Sequence, residues 1–320
     1  MFTSNQKKGL LAAGGSQGRL AVFSVSDGDA AASSSEASAS KTPLLSWTLD
    51  SSWISQVIFL SNQFQEHRTL LLSSSNDGRV VLWDINKQRV RSGTRGLSPL
   101  TREEIPVVVC ETSTLHTSGI FGMHETGGKI ASSSEGGVAI SIIKETGIVM
   151  ERSITGHHTG VIRSVRFREQ NILADCGVDT VIGILDLRAS DPCSLKIQTM
   201  HKTGISMIEW SPVCVDTSLV LSASNDPQLY LHDIRYPAKA MLQFQGHVHP
   251  RRVKCYSIYR PAFVAGGDSV TTGGALKKLH VGYDPNILLW NNFIPKNGGV
   301  WAGSRGITKL HALWHERGSA

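Results

Sequence analysis

The stretch from Ser206 to Arg235 decides the fold. It reads S-M-I-E-W-S-P, then a polar break, then L-V-L-S-A-S-N-D-P-Q-L-Y-L-H-D-I-R. Ile208 and Trp210 alternate with polar neighbours, as in a half-buried strand. Leu219 to Leu221 is a short apolar strand, Asn225-Asp226-Pro227 a tight turn, and Leu229 to Ile234 a third strand. Three such strands do not stand alone, so they belong to one sheet of something larger.

Working outward, the pattern recurs. Leu70 to Ile85 reads L-L-L-S-S-S-N-D-G-R-V-V-L-W-D-I, with Asn76-Asp77-Gly78 as its hairpin. A third unit runs from Leu115 to Ile154, a fourth starts at Gly156-His157-His158, and a sixth runs from Val253 to Trp290. The first unit is Leu11 to Gly15 and Arg19 to Val25 around Gln17-Gly18, with no strand before it. That abrupt start suggests a fragment or an alternative gene product, whose missing piece would hold a docking helix. An alternating run, Ile307 to Trp314, is expected either to pair beside Leu11 to Gly15 and close a ring, or to be loose. Residues 27–41 read as a flexible Ser/Ala-rich loop, 88–106 as a basic loop insertion and 291–306 as a glycine-containing tail within a single domain, 1–320.

Units of four short strands at a spacing of roughly 40 residues are the signature of a β-propeller. Each sheet alone would expose both faces, and radial stacking buries them. The expected fold is all-β, a seven-bladed propeller or an incomplete, divergent ring with six evident blades.

The chain resembles the WD-repeat (WD40) propeller family. Gly156-His157, Asp179 and Leu185-Asp186 match its Gly-His, turn Asp and closing Trp-Asp positions, and Gly246-His247 with Asp268 match less completely. Trp83-Asp84 is the one full Trp-Asp pair, while Leu185 and His232 stand in place of the Trp. The resemblance implies a buried network in each blade: a loop His donates to the turn Asp, and a strand Ser or Thr relays to the indole. In the fifth unit His201, Ser222 or Ser224, Asp226 and His232 would form it, with His232 replacing the indole donor. In the second unit no Gly-His precedes Asp77 and Trp83, so the network there is expected to be incomplete.

Composition narrows the function. The chain carries 32 Lys and Arg against 26 Asp and Glu, a formal charge of +6, which permits a nucleic-acid or acidic partner without requiring one. No apolar run is long enough to span a membrane, and none opens the chain as a secretory signal would. The five cysteines, Cys110, Cys176, Cys193, Cys214 and Cys255, are scattered and read as reduced fillers. The expected location is the nucleus, with the cytoplasm as a second site.

Catalytic chemistry finds no purchase. The histidines precede inner strands, a structural position in a propeller. Asp77, Asp179 and Asp226 occupy hairpin turns, where Asp bonds its own backbone. Asp175 and Asp179 flank Cys176 without forming a metal-ligand set. Gly14-Gly15-Ser16-Gln17-Gly18 lacks the Lys-Ser or Lys-Thr and the helix of a phosphate loop. No catalytic residue, metal, cofactor or small-molecule substrate is expected.

Two surfaces suggest partners instead. Asp186-Leu187-Arg188 and Asp233-Ile234-Arg235 end the third strands of consecutive units. They resemble the paired Asp-x-Arg endings of cullin-4 ubiquitin-ligase substrate receptors. The resemblance implies that Asp186, Arg188, Asp233 and Arg235 contact the adaptor called damaged-DNA-binding protein one. Arg163, Arg166 and Arg168 in the fourth unit, and Arg251, Arg252 and Lys254 in the sixth, could converge as a basic rim for phosphates of DNA or chromatin. The leading expectation is a non-catalytic interaction scaffold acting as a ligase substrate receptor. The alternatives are a chromatin- or nucleic-acid-associated propeller and a generic assembly scaffold.

Overall fold

The computed structural model describes residues 2–5, 8–25, 42–49, 53–60, 68–91, 103–113, 115–212, 216–226, 228–245, 255–264, 269–276, 286–291 and 307–311. The chain forms two compact units, Met1–Thr155 and Gly156–Ala320. Each contains three four-stranded antiparallel sheets in which chain neighbours pair.

In the first unit, one sheet is β1 (Phe2–Asn5), β2 (Leu10–Gly14), β3 (Arg19–Ser24) and β4 (Leu45–Thr48). The next is β5 (Ile54–Phe59), β6 (Leu70–Ser75), β7 (Val80–Arg91) and β8 (Glu103–Thr112). The third is β9 (Gly122–Thr126), β10 (Lys129–Ser133), β11 (Gly137–Lys144) and β12 (Gly147–Thr155). In the second unit, β13 (Ile162–Glu169), β14 (Ile172–Gly177), β15 (Val181–Asp186) and β16 (Cys193–Gln198) make one sheet. β17 (Ile205–Trp210), β18 (Leu219–Ser224), β19 (Gln228–Asp233) and β20 (Leu242–Gln245) make another. β21 (Cys255–Val264), β22 (Ser269–Leu276), β23 (Asn286–Asn291) and β24 (Ile307–His311) complete it.

The apolar runs are continuous because the sheets are buried on both faces. Leu71, Val81 and Trp83 pack with Ala12, Leu20, Val22 and Trp47 of the first sheet. Their neighbours Leu72, Val80 and Leu82 point the other way and pack with Ile120, Met123 and Ile130. In the second unit Val220 joins Ala174, Cys176, Ile182 and Ile184, whereas Leu219, Leu221 and Leu231 pack with Val270. Side-chain alternation along a strand thus feeds two cores at once.

Three expectations change. The first sheet has its first strand: Phe2–Asn5 pairs with β2, Phe2 opposite Ala13 and Asn5 opposite Leu10. F-T-S-N is too polar and short to announce itself. The run from Ile307 does not pair beside Leu11 to Gly15. Ile307 lies opposite Trp290 and His311 opposite Asn286, so β24 is the fourth strand of the last sheet. The ends of the basic stretch 88–106 are strand, with Gln88 opposite Pro106 and Arg91 opposite Glu103. These pairs prolong the hairpin beyond a register shift between Asp84 and Gln88.

The loop 27–41, residues 92–102 of the basic stretch and tail residues 292–306 lie outside the described residues. Cys110, Cys176 and Cys193 are free thiols. Among the described residues no helix is long and apolar enough to cross a membrane.

Candidate functional site

The Asp-x-Arg corners sit where β15 and β19 end. Asp186 accepts the backbone N–H of Arg188 at 3.0 Å, its Nε at 2.9 Å and its Nη2 at 2.7 Å. Asp233 does the same for Arg235, at 2.9, 2.9 and 2.7 Å, and Arg235 also donates to Asp216 at 2.8 Å. The backbone bond closes the turn, and the paired side-chain bonds lay each guanidinium flat against its carboxylate. The Arg188 and Arg235 side chains are still 65% and 55% exposed. The hydrogen bonds from Arg188 hold Asp186 at a pKa of about 2. Asp84 shows which part of the motif serves the fold: it accepts the N–H of Asn86 at 3.1 Å, and its cationic neighbour, Arg68 at 3.3 Å, comes from before β6.

The basic rim is different. Arg166 is buried, with its Nε 3.3 Å from Glu209 and its Nη1 donating to the Val165 carbonyl at 2.9 Å. Arg168 lies over the Trp210 ring, 5.4 Å from its centroid, and pairs with Glu169. Arg163 falls at a register shift between Ile162 and Ser164. Arg251, Arg252 and Lys254 lie outside the described residues, as does His247.

Between the loops and the sheets are the buried polar networks. In the β17–β20 sheet, His201 Nδ1 stands 3.0 Å from Asp226 and His201 Nε2 3.0 Å from Ser222 Oγ, which is 3.0 Å from His232 Nε2. One proton assignment satisfies this chain. His232 Nε2–H donates to Ser222, Ser222 O–H donates to His201 Nε2, and His201 Nδ1–H donates to Asp226. His232 Nδ1 is left as a bare acceptor. Burial, and then the neighbouring His201, push His232 down to about 4. Ser224 is engaged elsewhere, with Thr203. In β6 and β7, Trp83 Nε1 donates to Ser73 Oγ at 2.9 Å and packs edge-on against Trp47. Asp77 there takes Ser75 and Arg79 in place of a histidine.

The β13–β16 sheet is wired differently from its expected pattern. His158, not His157, reaches the turn residue Asp179, Nδ1 to Oδ2 at 2.9 Å. Both histidines converge on Asp175: His157 Nε2 at 2.5 Å and His158 Nε2 at 3.0 Å. Asp175 is wholly buried. It occupies the register position that Ser222 and Ser73 hold in the other sheets, opposite Gly183 as Ser222 is opposite Tyr230. Leu185 fills the indole position and cannot donate, and His157 brings a donor in from the loop instead. Both nitrogens of His158 face carboxylates, so both must carry protons. Burial opposes that charge, but the bonds to Asp175 and then to Asp179 prevail and raise the His158 pKa. Burial likewise pushes the Asp175 carboxyl up, and the hydrogen bonds from His157 and His158 more than reverse it.

His116, which bonds Ser132 at 2.8 Å, was missed from the sequence, and Asp175 and His158 were read there without their link to one another. Asp175 had a signal: it precedes Asp179 by the four residues that separate Ser222 from Asp226 and Ser73 from Asp77. The Asp226–His201–Ser222 line has the order of a hydrolytic triad. Ser222 is wholly buried, however, so no substrate carbonyl can reach it.

No family model matches the chain. Protein sof1 of Schizosaccharomyces pombe is 24% identical over 201 residues, 55% of this chain and 44% of that protein. Histone-binding protein MSI1 of Saccharomyces cerevisiae is 27% identical over 171 residues, 52% of this chain and 38% of that protein. The chain spans less than half the length of these curated relatives. The described residues form four-stranded antiparallel, blade-like sheets, and the fold class is all-β, a β-propeller.

Proposed function

We propose that the chain is a non-catalytic scaffold for protein partners, and that its Asp-x-Arg corners receive damaged-DNA-binding protein one, the adaptor of cullin-4 ubiquitin ligases. One observation carries this reading. Two consecutive sheets of the second unit end in the same corner, each presenting an arginine that its own Asp holds in place yet leaves more than half exposed. An arginine immobilised before binding loses little entropy on docking, and its planar fork still has donors to offer. The chain would then act in the nucleus as a substrate receptor.

The test is binding of the full chain to purified adaptor by interferometry, beside Arg188→Ala/Arg235→Ala. Wild-type binding that falls at least about 30-fold in the double variant is the expected result. No wild-type binding, or equal binding by a folded double variant, would remove the reading.

A second reading follows from the likeness to a protein named for histone binding. Here the chain would hold a histone or other chromatin protein. Core histones offered in the same assay, at two salt concentrations, distinguish a protein interface from a charge-driven one.

A further inference from the structure

The polar cluster of the β13–β16 sheet differs from its neighbour in composition and in where its histidines come from. The β17–β20 network uses one loop histidine, one strand histidine, one hydroxyl and one turn carboxylate: His201, His232, Ser222 and Asp226. Here the hydroxyl is replaced by a carboxylate, Asp175, and both histidines are adjacent loop residues. His157, His158 and Asp175 are all buried, and their ligand-capable atoms lie within 4.8 Å of one another. Among the described residues this is the one such set of His, Cys, Asp or Glu.

We propose that His157 Nε2, His158 Nε2 and an Asp175 oxygen form a binding site for a divalent transition-metal cation of the zinc class. Three further features fit. His158 Nδ1 donates to Asp179 at 2.9 Å, the carboxylate–histidine pairing that orients a ligating imidazole and makes it more basic. The imidazole centroids stand 4.8 Å apart at 67°. Two histidines on a tetrahedral zinc, with Zn–N bonds of about 2.0–2.1 Å, place their centroids about 5 Å apart. The charge also closes. Asp175 and Asp179 bring two negative charges, which a single imidazolium at His158 only half neutralises, whereas a divalent cation between neutral imidazoles neutralises both. Gly183 lies against the cluster, where a Cβ would overlap Asp175 Oδ1 and stand 3.4 Å from His157 and His158. Its bare backbone leaves the carboxylate room to turn. His157 Nε2 and His158 Nε2 stand 2.5 and 3.0 Å from Asp175 oxygens, so to accept the cation they draw back by about 0.8 and about 0.3 Å to the roughly 3.3 Å spacing of tetrahedral ligands. Water takes the fourth position.

The experiment uses the untagged full chain. Metal content after purification is read by plasma mass spectrometry, and zinc affinity by competition with a chromophoric chelator. Asp175→Ser installs the residue of the neighbouring sheet, so it keeps a partner for His158 while removing a ligand. His157→Gln removes a different ligand and leaves the Asp175–His158–Asp179 line in place, which guards against loss of folding in the first variant. One zinc per wild-type chain is expected, with affinity falling at least about 100-fold in whichever variant is folded. Failure of the wild type to take up zinc, or equal uptake by a folded variant, overturns the proposal. Either result would leave the cluster as hydrogen bonds alone.

Discussion

Replacing Gly183 by alanine probes the buried cluster through its most sensitive contact. Gly183 lies directly opposite Asp175 in the pairing of β14 with β15. In an ordinary strand position Gly→Ala would help by about 0.5–1 kcal/mol. At Gly183 the new Cβ overlaps Asp175 Oδ1, the oxygen bonded to His158 Nε2. The carboxylate must turn away and leave His158 Nε2 without its partner, while Nδ1 keeps Asp179. Removing one partner from a buried ion pair costs about 3–5 kcal/mol. Less the strand gain, the expected net destabilisation is about 2–4 kcal/mol, read by urea unfolding with tryptophan fluorescence. The partner experiment is Gly183→Ala in an Asp175→Ser background. Serine is shorter, and Ser222 tolerates Tyr230 at the equivalent opposite position. There the alanine should cost almost nothing, giving a coupling energy of about 2–4 kcal/mol. Additive costs, or a neutral Gly183→Ala, would refute the assignment of Asp175 as the packed and paired centre of the sheet.

Three other outcomes are expected. Urea unfolding across pH should show a plateau that falls on both sides. His232, held at about 4 against an ordinary value of 6.5, resists protonation only when folded, so stability drops by roughly 3 kcal/mol as pH falls from 6.5 to 4. The lowered Asp175 and Asp179 add to the acid loss, because their contribution exists above their unfolded values and disappears as pH falls through the folded ones. In the zinc-free chain His158 acts in the opposite direction: its raised value stabilises below the unfolded pKa and is lost as pH rises through the folded one. Proton NMR of the histidine rings reads His158 and His232 separately, and a His232 that titrates above pH 6 would contradict the chain drawn through Ser222. Trp83→Phe should cost about 1–3 kcal/mol, because Ser73 loses its indole donor in a buried place. Thermal melts test this, and a Ser73→Ala/Trp83→Phe double variant should recover part of the loss. Arg188→Ala/Arg235→Ala should leave the melting temperature unchanged, since both guanidiniums are exposed, and a large drop would make the corners structural instead.

Much of the fold was legible because its determinants are local. Leu70-Leu71-Leu72 and Val80-Val81-Leu82-Trp83 around Asn76-Asp77-Gly78 specify two strands and their turn without reference to anything distant. Phe2–Asn5 was illegible for the opposite reason. Its strand character comes from pairing with Leu10 to Ala13 and not from its own side chains. The alternating run from Ile307 was recognised as a strand, but its partner was not, since alternation specifies a face and never a neighbour. In the corners, Asp-x-Arg spacing already implied two matching turns. That the arginines are both pinned and exposed is visible only in three dimensions.

The sequence by itself determined the all-β class, the repeating four-strand unit and the identity of the turn acids. Hydrophobic period, turn residues and repeat spacing all act within a few residues of one another. The tertiary structure decided which of two adjacent histidines meets Asp179, and that both meet Asp175. Either ring could reach from a neighbouring loop position, and the choice depends on a strand eighteen residues away and on the missing side chain of Gly183. It also turned Arg166 inward to Glu209 while leaving Arg188 and Arg235 outside, although the sequence offers all three as basic contacts for a partner. Burial and pairing are properties of the packed chain, and charge alone does not encode them.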